Sequence, residues 1–144
     1  MWRINRNHVL MWAKKLIEWY QNNKRVLPWR TVPSAYSTLI SEFMAQQTQI
    51  KTLIPYFNAW LKKYPTIQDV SKATEDEILK SWEGLGYYSR ARNLHKTCQI
   101  ISREFKGKIP SSATELIKLP GIGPYIAAAV SSIAFDEPIA VVDG

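Results

Sequence analysis

An all-α fold is what this sequence predicts, on three observations. Apolar residues recur at steps of three and four along nearly the whole chain. Thr74 with Glu77, and Ser112 with Glu115, have the spacing of a capping box at a helix start. Strand signals are confined to Ile139-Ala140-Val141-Val142, a short terminal run. No internal repeat or low-complexity tract interrupts the pattern.

The elements follow in chain order. Val9, Trp12, Leu16 and Tyr20 mark one face of a first helix, closed by Gln21-Asn22-Asn23. A polar, basic connection leads to Leu27-Pro28-Trp29-Arg30. Tyr36, Leu39, Ile40, Phe43 and Met44 line a second helix. Ile50, Leu53, Ile54, Phe57 and Leu61 line a third, where Pro55 costs little if the helix begins near Gln49–Thr52. Thr74 opens a short helix that should bury Ile78, Leu79 and Trp82, and Gly84-Leu85-Gly86 breaks it. The clearest stripe is Tyr87, Ala91, Leu94, Cys98, Ile101 and Phe105, with Gly107 as its stop. Ser112 should cap the next helix, before Leu116 and Leu119. Pro124 suits the first position of the last, continued by Ile126, Ala129, Val130 and Ile133.

A chain of 144 residues is enough for one domain with a real core. Its 19 basic against 12 acidic side chains leave a charge of +7, which suits a polyanionic partner without establishing one. Cys98 is the one cysteine, so neither a disulfide nor a cysteine-based metal site can form within the chain. A reducing, cytoplasmic setting is expected. No run of about 18 apolar residues is present, and Met1 to His8 lack the apolar core of a signal peptide, so no membrane partner is expected.

The most informative segment is Leu119-Pro120-Gly121-Ile122-Gly123-Pro124-Tyr125, between two predicted helices. Gly121 and Gly123 let the backbone turn tightly and approach a partner closely. Amides there, at a helix N-terminus, can bind a phosphate oxygen. A plain turn between helices uses the same residues. Leu-Pro-Gly-Ile-Gly before an alanine-rich helix, with Asp143 twenty residues past Gly123, resembles the helix-hairpin-helix glycosylase superfamily. The resemblance implies that superfamily's fold, a six-helix-type barrel that would here be incomplete at its C-terminus. It also implies a turn that grips the DNA backbone, often with a monovalent cation on backbone carbonyls, and an aspartate in the active site.

Three further stretches narrow the resemblance. They are Leu27-Pro28-Trp29-Arg30, Ser41-Glu42-Phe43-Met44-Ala45-Gln46-Gln47-Thr48-Gln49, and Glu83-Gly84-Leu85-Gly86-Tyr87-Tyr88-Ser89-Arg90-Ala91-Arg92-Asn93-Leu94. From about Val26 to Gly144 the chain is similar to the adenine DNA glycosylase family, which removes adenine paired with 8-oxoguanine or guanine. A monomer acting on double-stranded DNA with a mispair is the implied system.

Glu42 lies on a helix flank beside Leu39 and Ala45, where desolvation would raise its pKa and keep it protonated near neutral pH. By itself the pattern fits an ordinary solvated glutamate better. The resemblance makes Glu42 the acid that protonates the adenine ring. Asp143 becomes the carboxylate that steadies positive charge on the sugar, although an isolated Asp-Gly reads as a turn. Such a division between two carboxyls suits an oxocarbenium-like transition state. Tyr125 occupies the position where relatives like endonuclease III carry a lysine, and the resemblance gives its hydroxyl a supporting role.

Trp29 and Arg30 match residues beside the flipped adenine, with Arg25 joining them. Gln47 and Tyr87 match residues that enter the duplex near the lesion base, and Gln46 is placed with them among the DNA-binding residues. Tyr87 also fits the helix stripe, so a core role stays open. Ala45 departs from the larger apolar residue usual in the family. His8, His95 and Cys98 are read as structural.

The family continues past the aspartate into four cysteines for a 4Fe-4S cluster and a separate domain that recognises 8-oxoguanine. Neither is in this chain, nor is the asparagine that follows the family's Asp-Gly pair. The division expected is residues 1–25 as a helix packed on the cluster region, 26–136 as the helical domain with its hairpin near 113–134, and 137–144 as the start of an interrupted second domain. A truncated product is therefore expected, with Trp12, Trp19 and Tyr20 exposing apolar area. Two other readings stand beside an adenine glycosylase of reduced or no activity: a bifunctional enzyme like endonuclease III, and a helix-hairpin-helix module that only binds DNA.

Overall fold

The computed structural model describes residues 6–31 and 33–142. They form helices α1 (Arg6–Asn23), α2 (Pro28–Thr31), α3 (Ala35–Ala45), α4 (Ile50–Lys63) and α5 (Ile67–Lys72). The remainder are α6 (Glu75–Trp82), α7 (Ser89–Glu104), α8 (Ala113–Leu116) and α9 (Pro124–Phe135). The described residues contain no strand, and Ile139 to Val142 run without sheet pairing. The predicted all-α class holds.

Helix α3 is the hub, packed against α2, α4, α7 and α9. Leu39, Ile40, Phe43 and Met44 are fully buried, as are Leu53 of α4, Leu94, Cys98 and Ile101 of α7, and Ile126 and Val130 of α9. Trp60 and Trp82 close the other end, edge to face with centroids 5.7 Å apart. Burying so many large side chains supplies the main driving force for this arrangement.

Three capping boxes hold helix starts: Ser34 with Ser37, Thr66 with Asp69, and the predicted Thr74 with Glu77. The first two lack the Glu or Gln that makes the signature legible in sequence. The box expected at Ser112 does not form. Ser112 accepts no backbone bond from α8, and its hydroxyl faces Thr114 and Glu115. Instead the Ala113 N–H donates to Glu137 Oε2 at 2.8 Å, so a carboxylate from beyond α9 satisfies the first turn of α8.

Pro55 sits at the sixth position of α4, beyond the first turn. It withholds one N–H from the exposed Lys51 carbonyl region, where water can substitute. Helix α5 is too short to declare itself by periodicity. At the end of α7, Lys106 and Gly107 turn left-handed (φ 54° and 77°), and the Gly107 N–H returns to the Ile101 carbonyl at 3.0 Å.

Burial pushes the Cys98 thiol from its ordinary 9.0 up to about 12. The folded chain keeps a proton there that the unfolded chain sheds, so this group's contribution to stability declines as pH climbs from about 9 towards 12. At pH 8 a thiol reagent should label Cys98 only in denaturant. Rapid labelling of the native chain would contradict its burial.

The face of α1 is different. Trp12 and Trp19 are 69% and 62% exposed, and Leu16 65%. This is the exposed apolar area expected there. No described helix is long and apolar enough to cross a membrane.

Candidate active site

Helix α3 is buried nearly all round, and Glu42 is an exception in its C-terminal half. Ser41, Phe43 and Met44 beside it are buried, while Glu42 itself is partly exposed. It lines two hollows at once. One, of about 510 Å³, is shared with Ala45, Gln46, Gln47, Tyr87, Ser89, Arg90 and Tyr125. The other, of about 650 Å³, adds Arg25, Trp29, Arg30, Thr38 and Ser41. A single carboxyl therefore stands between an aromatic, basic recess and a polar one.

The sequence-predicted residues sort onto these hollows. Arg25, Trp29 and Arg30 lie in the larger one. There Trp29 meets Phe57 edge-on at 5.2 Å, and the Arg30 guanidinium sits 6.0 Å from the Tyr20 ring of α1. Gln46, Gln47, Tyr87 and Tyr125 lie in the smaller, with Tyr125 brought in by the first turn of α9. Asp143 lies outside the described residues.

Tyr87 is not a core residue. It precedes α7, is 61% exposed, and has a left-handed backbone at φ 47°. Gln47, on the other wall, has φ 55°. Left-handed backbone outside glycine costs roughly 1–3 kcal/mol and persists where surrounding contacts enforce it. Both residues line the same hollow.

Arg90 is the residue that sequence reading missed. Its side chain is buried, and the two N–H groups of its Nη1 are shared among the carbonyls of Phe43 (3.2 Å), Met44 (2.8 Å) and Gln46 and Thr48 Oγ1 (3.2 Å). Nη2 donates to the carbonyls of Leu85 (3.3 Å) and Gly86 (3.1 Å). The guanidinium lies 5.3 Å from the Trp82 ring and 5.7 Å from that of Tyr87. No sequence motif announces a set of partners made almost wholly of backbone oxygens.

The hairpin forms a separate edge, bordering neither hollow with its glycines. Gly121 is left-handed at φ 74°, and a Cβ there would lie 2.6 Å from Asn93 Cβ and 3.0 Å from Phe43 Cε1. Fold alone therefore demands glycine at 121. Gly123 is extended (φ −87°), with nothing within 4 Å of an added Cβ. Thr97 Oγ1 donates to the Pro120 carbonyl at 2.8 Å and pins the turn to α7. Helix α9 starts at Pro124 without a side-chain cap.

The four-thiolate cluster implied by the resemblance does not fit the residues present. Cys98 is the sole cysteine and is fully buried, and the described residues hold no group of three His, Cys, Asp or Glu able to take a metal.

The chain is 43% identical over 136 residues to the adenine DNA glycosylase of Buchnera aphidicola subsp. Baizongia pistaciae, covering 94% of this chain and 39% of that protein. It is 43% identical over 138 residues to the human adenine DNA glycosylase, covering 90% of this chain and 25% of the other. The chain thus spans well under half the length of these relatives. Among solved structures, a thermostable thymine-DNA glycosylase superposes with a TM-score of 0.85 at 26% identity, over 92% of this chain and 62% of that one. A non-covalent endonuclease III–DNA complex gives 0.80 at 23% identity, over 98% and 65%, a likeness of fold. The model of the HhH-GPD superfamily of base excision DNA repair proteins matches residues 40–144, and the chain belongs to that superfamily.

Proposed function

We propose that this chain is the catalytic part of a monofunctional adenine DNA glycosylase, acting on adenine opposite 8-oxoguanine or guanine. The observation that carries the reading is Glu42, set between a recess bearing Trp29 and Arg30 and a hollow bearing Tyr125, Gln47 and Tyr87. An extruded adenine would stack in the first, while Gln47 and Tyr87, with Gln46 beside them, would fill the gap left in the duplex. Glu42 would donate its proton to a ring nitrogen, so that the base leaves with the bonding pair as a neutral molecule. Asp143 would offset the charge on the sugar, supported by the Tyr125 hydroxyl. Water would then add to the anomeric carbon and return a proton to the carboxyl.

The hairpin would hold the DNA backbone through amides at Gly121 and Gly123, with a monovalent cation on its carbonyls. The surplus of basic residues and the likeness to DNA-bound relatives support this partner. Binding to duplex DNA should fall with salt by nearly one log–log unit per phosphate contact. Affinity that stays constant between low and moderate salt would remove DNA as the partner.

The exposed face of α1 supports the division in which residues 1–25 pack on a cluster-bearing region of the whole protein. Residues 26–136 are then the helical domain and 137–144 the entry to the second. A monomer in a reducing, cytoplasmic setting completes the reading, supported by the single buried cysteine.

Tyr125 disfavours the endonuclease III-like alternative. A strand-cleaving lyase needs an amine to form an imine with the sugar, and no lysine occurs from Pro120 to Gly144. Borohydride on abasic or adenine-mispair DNA should trap little covalent adduct from this segment. Efficient trapping through a hairpin residue would reverse the assignment. Weak trapping through a distant exposed lysine would not.

A further inference from the structure

The Arg90 guanidinium bridges two turns that are distant in sequence and adjacent in space. Its Nη1 serves the end of α3, where the last carbonyls of a helix lack intrahelical donors. Helix α3 has no left-handed glycine cap to satisfy them; its C-cap is Gln46 at φ −55°. Nη2 serves the turn after α6. Two of the accepting carbonyls, Gln46 and Gly86, belong to the peptide planes immediately before Gln47 and Tyr87. Those are the two left-handed residues that face the same hollow.

We propose that Arg90 is a positioning residue: its rigid fork locks these two peptide planes and so sets the separation of Gln47 and Tyr87 for entry into the duplex. The inference rests on the DNA glycosylase reading for its purpose, and on the geometry for its mechanism.

The chemistry favours arginine for this task. A guanidinium holds its donors in one plane at fixed angles, whereas a lysine ammonium is a single point that can serve one turn well at a time. Burying a cation costs solvation, and among the described residues Arg90 forms no ion pair to compensate. An apolar side chain would fill the space between the turns without that cost, but it could not orient the carbonyls. The Nε is buried without a partner among the described residues, so the hydrogen bonds that Arg90 makes are those of its two terminal nitrogens.

The test compares wild type with Arg90→Lys and Thr48→Val in the full-length protein. Without DNA, amide hydrogen exchange is read at residues 46–48 and 85–88. With DNA, a fluorescent aminopurine beside the mispaired adenine reports unstacking, and affinity for undamaged duplex is measured alongside. In Arg90→Lys, exchange should quicken at both turns by at least about tenfold, as expected for loss of charged hydrogen bonds. The unstacking signal should fall several-fold while undamaged-duplex affinity stays within about twofold, because the hairpin phosphate contacts are untouched. Thr48→Val removes one acceptor of Nη1 at the periphery and should show the same pattern more weakly.

Unchanged exchange in Arg90→Lys would overturn the proposal. So would faster exchange with unstacking fully retained, since the separation would then not matter. If Arg90→Lys fails to fold, Thr48→Val decides: normal exchange and unstacking there would leave Arg90 as a residue of the fold alone. Failure of the wild type to unstack a mispair would count against the glycosylase reading, while the exchange measurement still judges the bridge.

Discussion

In the full-length protein, Glu42→Gln should lose adenine release by roughly 10²–10⁴-fold while still binding mispaired DNA. The amide has the shape of the carboxyl and can occupy the same place between the two hollows. It has no proton to give, so the leaving base would depart as an anion instead of a neutral molecule. Single-turnover base release measures the chemical step, and a gel shift on the same duplex measures binding. Near-normal turnover would take Glu42 out of the mechanism. Loss of binding together with turnover would make it a structural residue instead. Asp143→Asn should be severely impaired as well, because a neutral amide stabilises a developing cation poorly.

Gly121→Val and Gly123→Val should part company. At 121 a β-branched side chain must adopt a left-handed backbone and press on Asn93 Cβ and the Phe43 ring. Backbone strain of roughly 1–3 kcal/mol, with overpacking of similar size, places the loss at several kcal/mol. That is a large share of a typical domain's stability. The variant should melt far lower and take base release and DNA binding down together. At 123 the backbone is extended and the added methyls meet open space, so the melting temperature should move little. The same methyls would stand where a phosphate approaches the start of α9, and duplex affinity should fall for all sequences alike. A melting loss at 123 equal to that at 121 would contradict the structure. Weakening confined to mispaired DNA would contradict the phosphate role.

The helices were legible because their signals are local. The stripe on α7 and the Thr74–Glu77 box lie within a few residues of one another, and the structure places Ala91, Leu94, Cys98 and Ile101 in the core as read. Tyr87 fitted the same stripe and proved exposed, because the chain turns left-handed there before α7 begins. Periodicity records which side chains are apolar, not where the helix starts. Ser112 failed as a cap for a related reason: a stronger acceptor, Glu137, arrives from 24 residues downstream.

By itself, then, the sequence determined the helical class and the turn at Gly121, both of which depend on side-chain identity at short spacing. The candidate-site residues came from the family resemblance, since the bare pattern reads Glu42 as a solvated glutamate and Asp143-Gly144 as a turn. Tertiary structure alone decided that Glu42 stands between two hollows, that Glu137 caps α8, and that Arg90 joins two turns some 40 residues apart in the chain. The acceptors of that guanidinium are nearly all main-chain carbonyls, a group every residue carries. Which of them meet one arginine is set by how α3, α6 and α7 pack, and no local pattern of side chains encodes it.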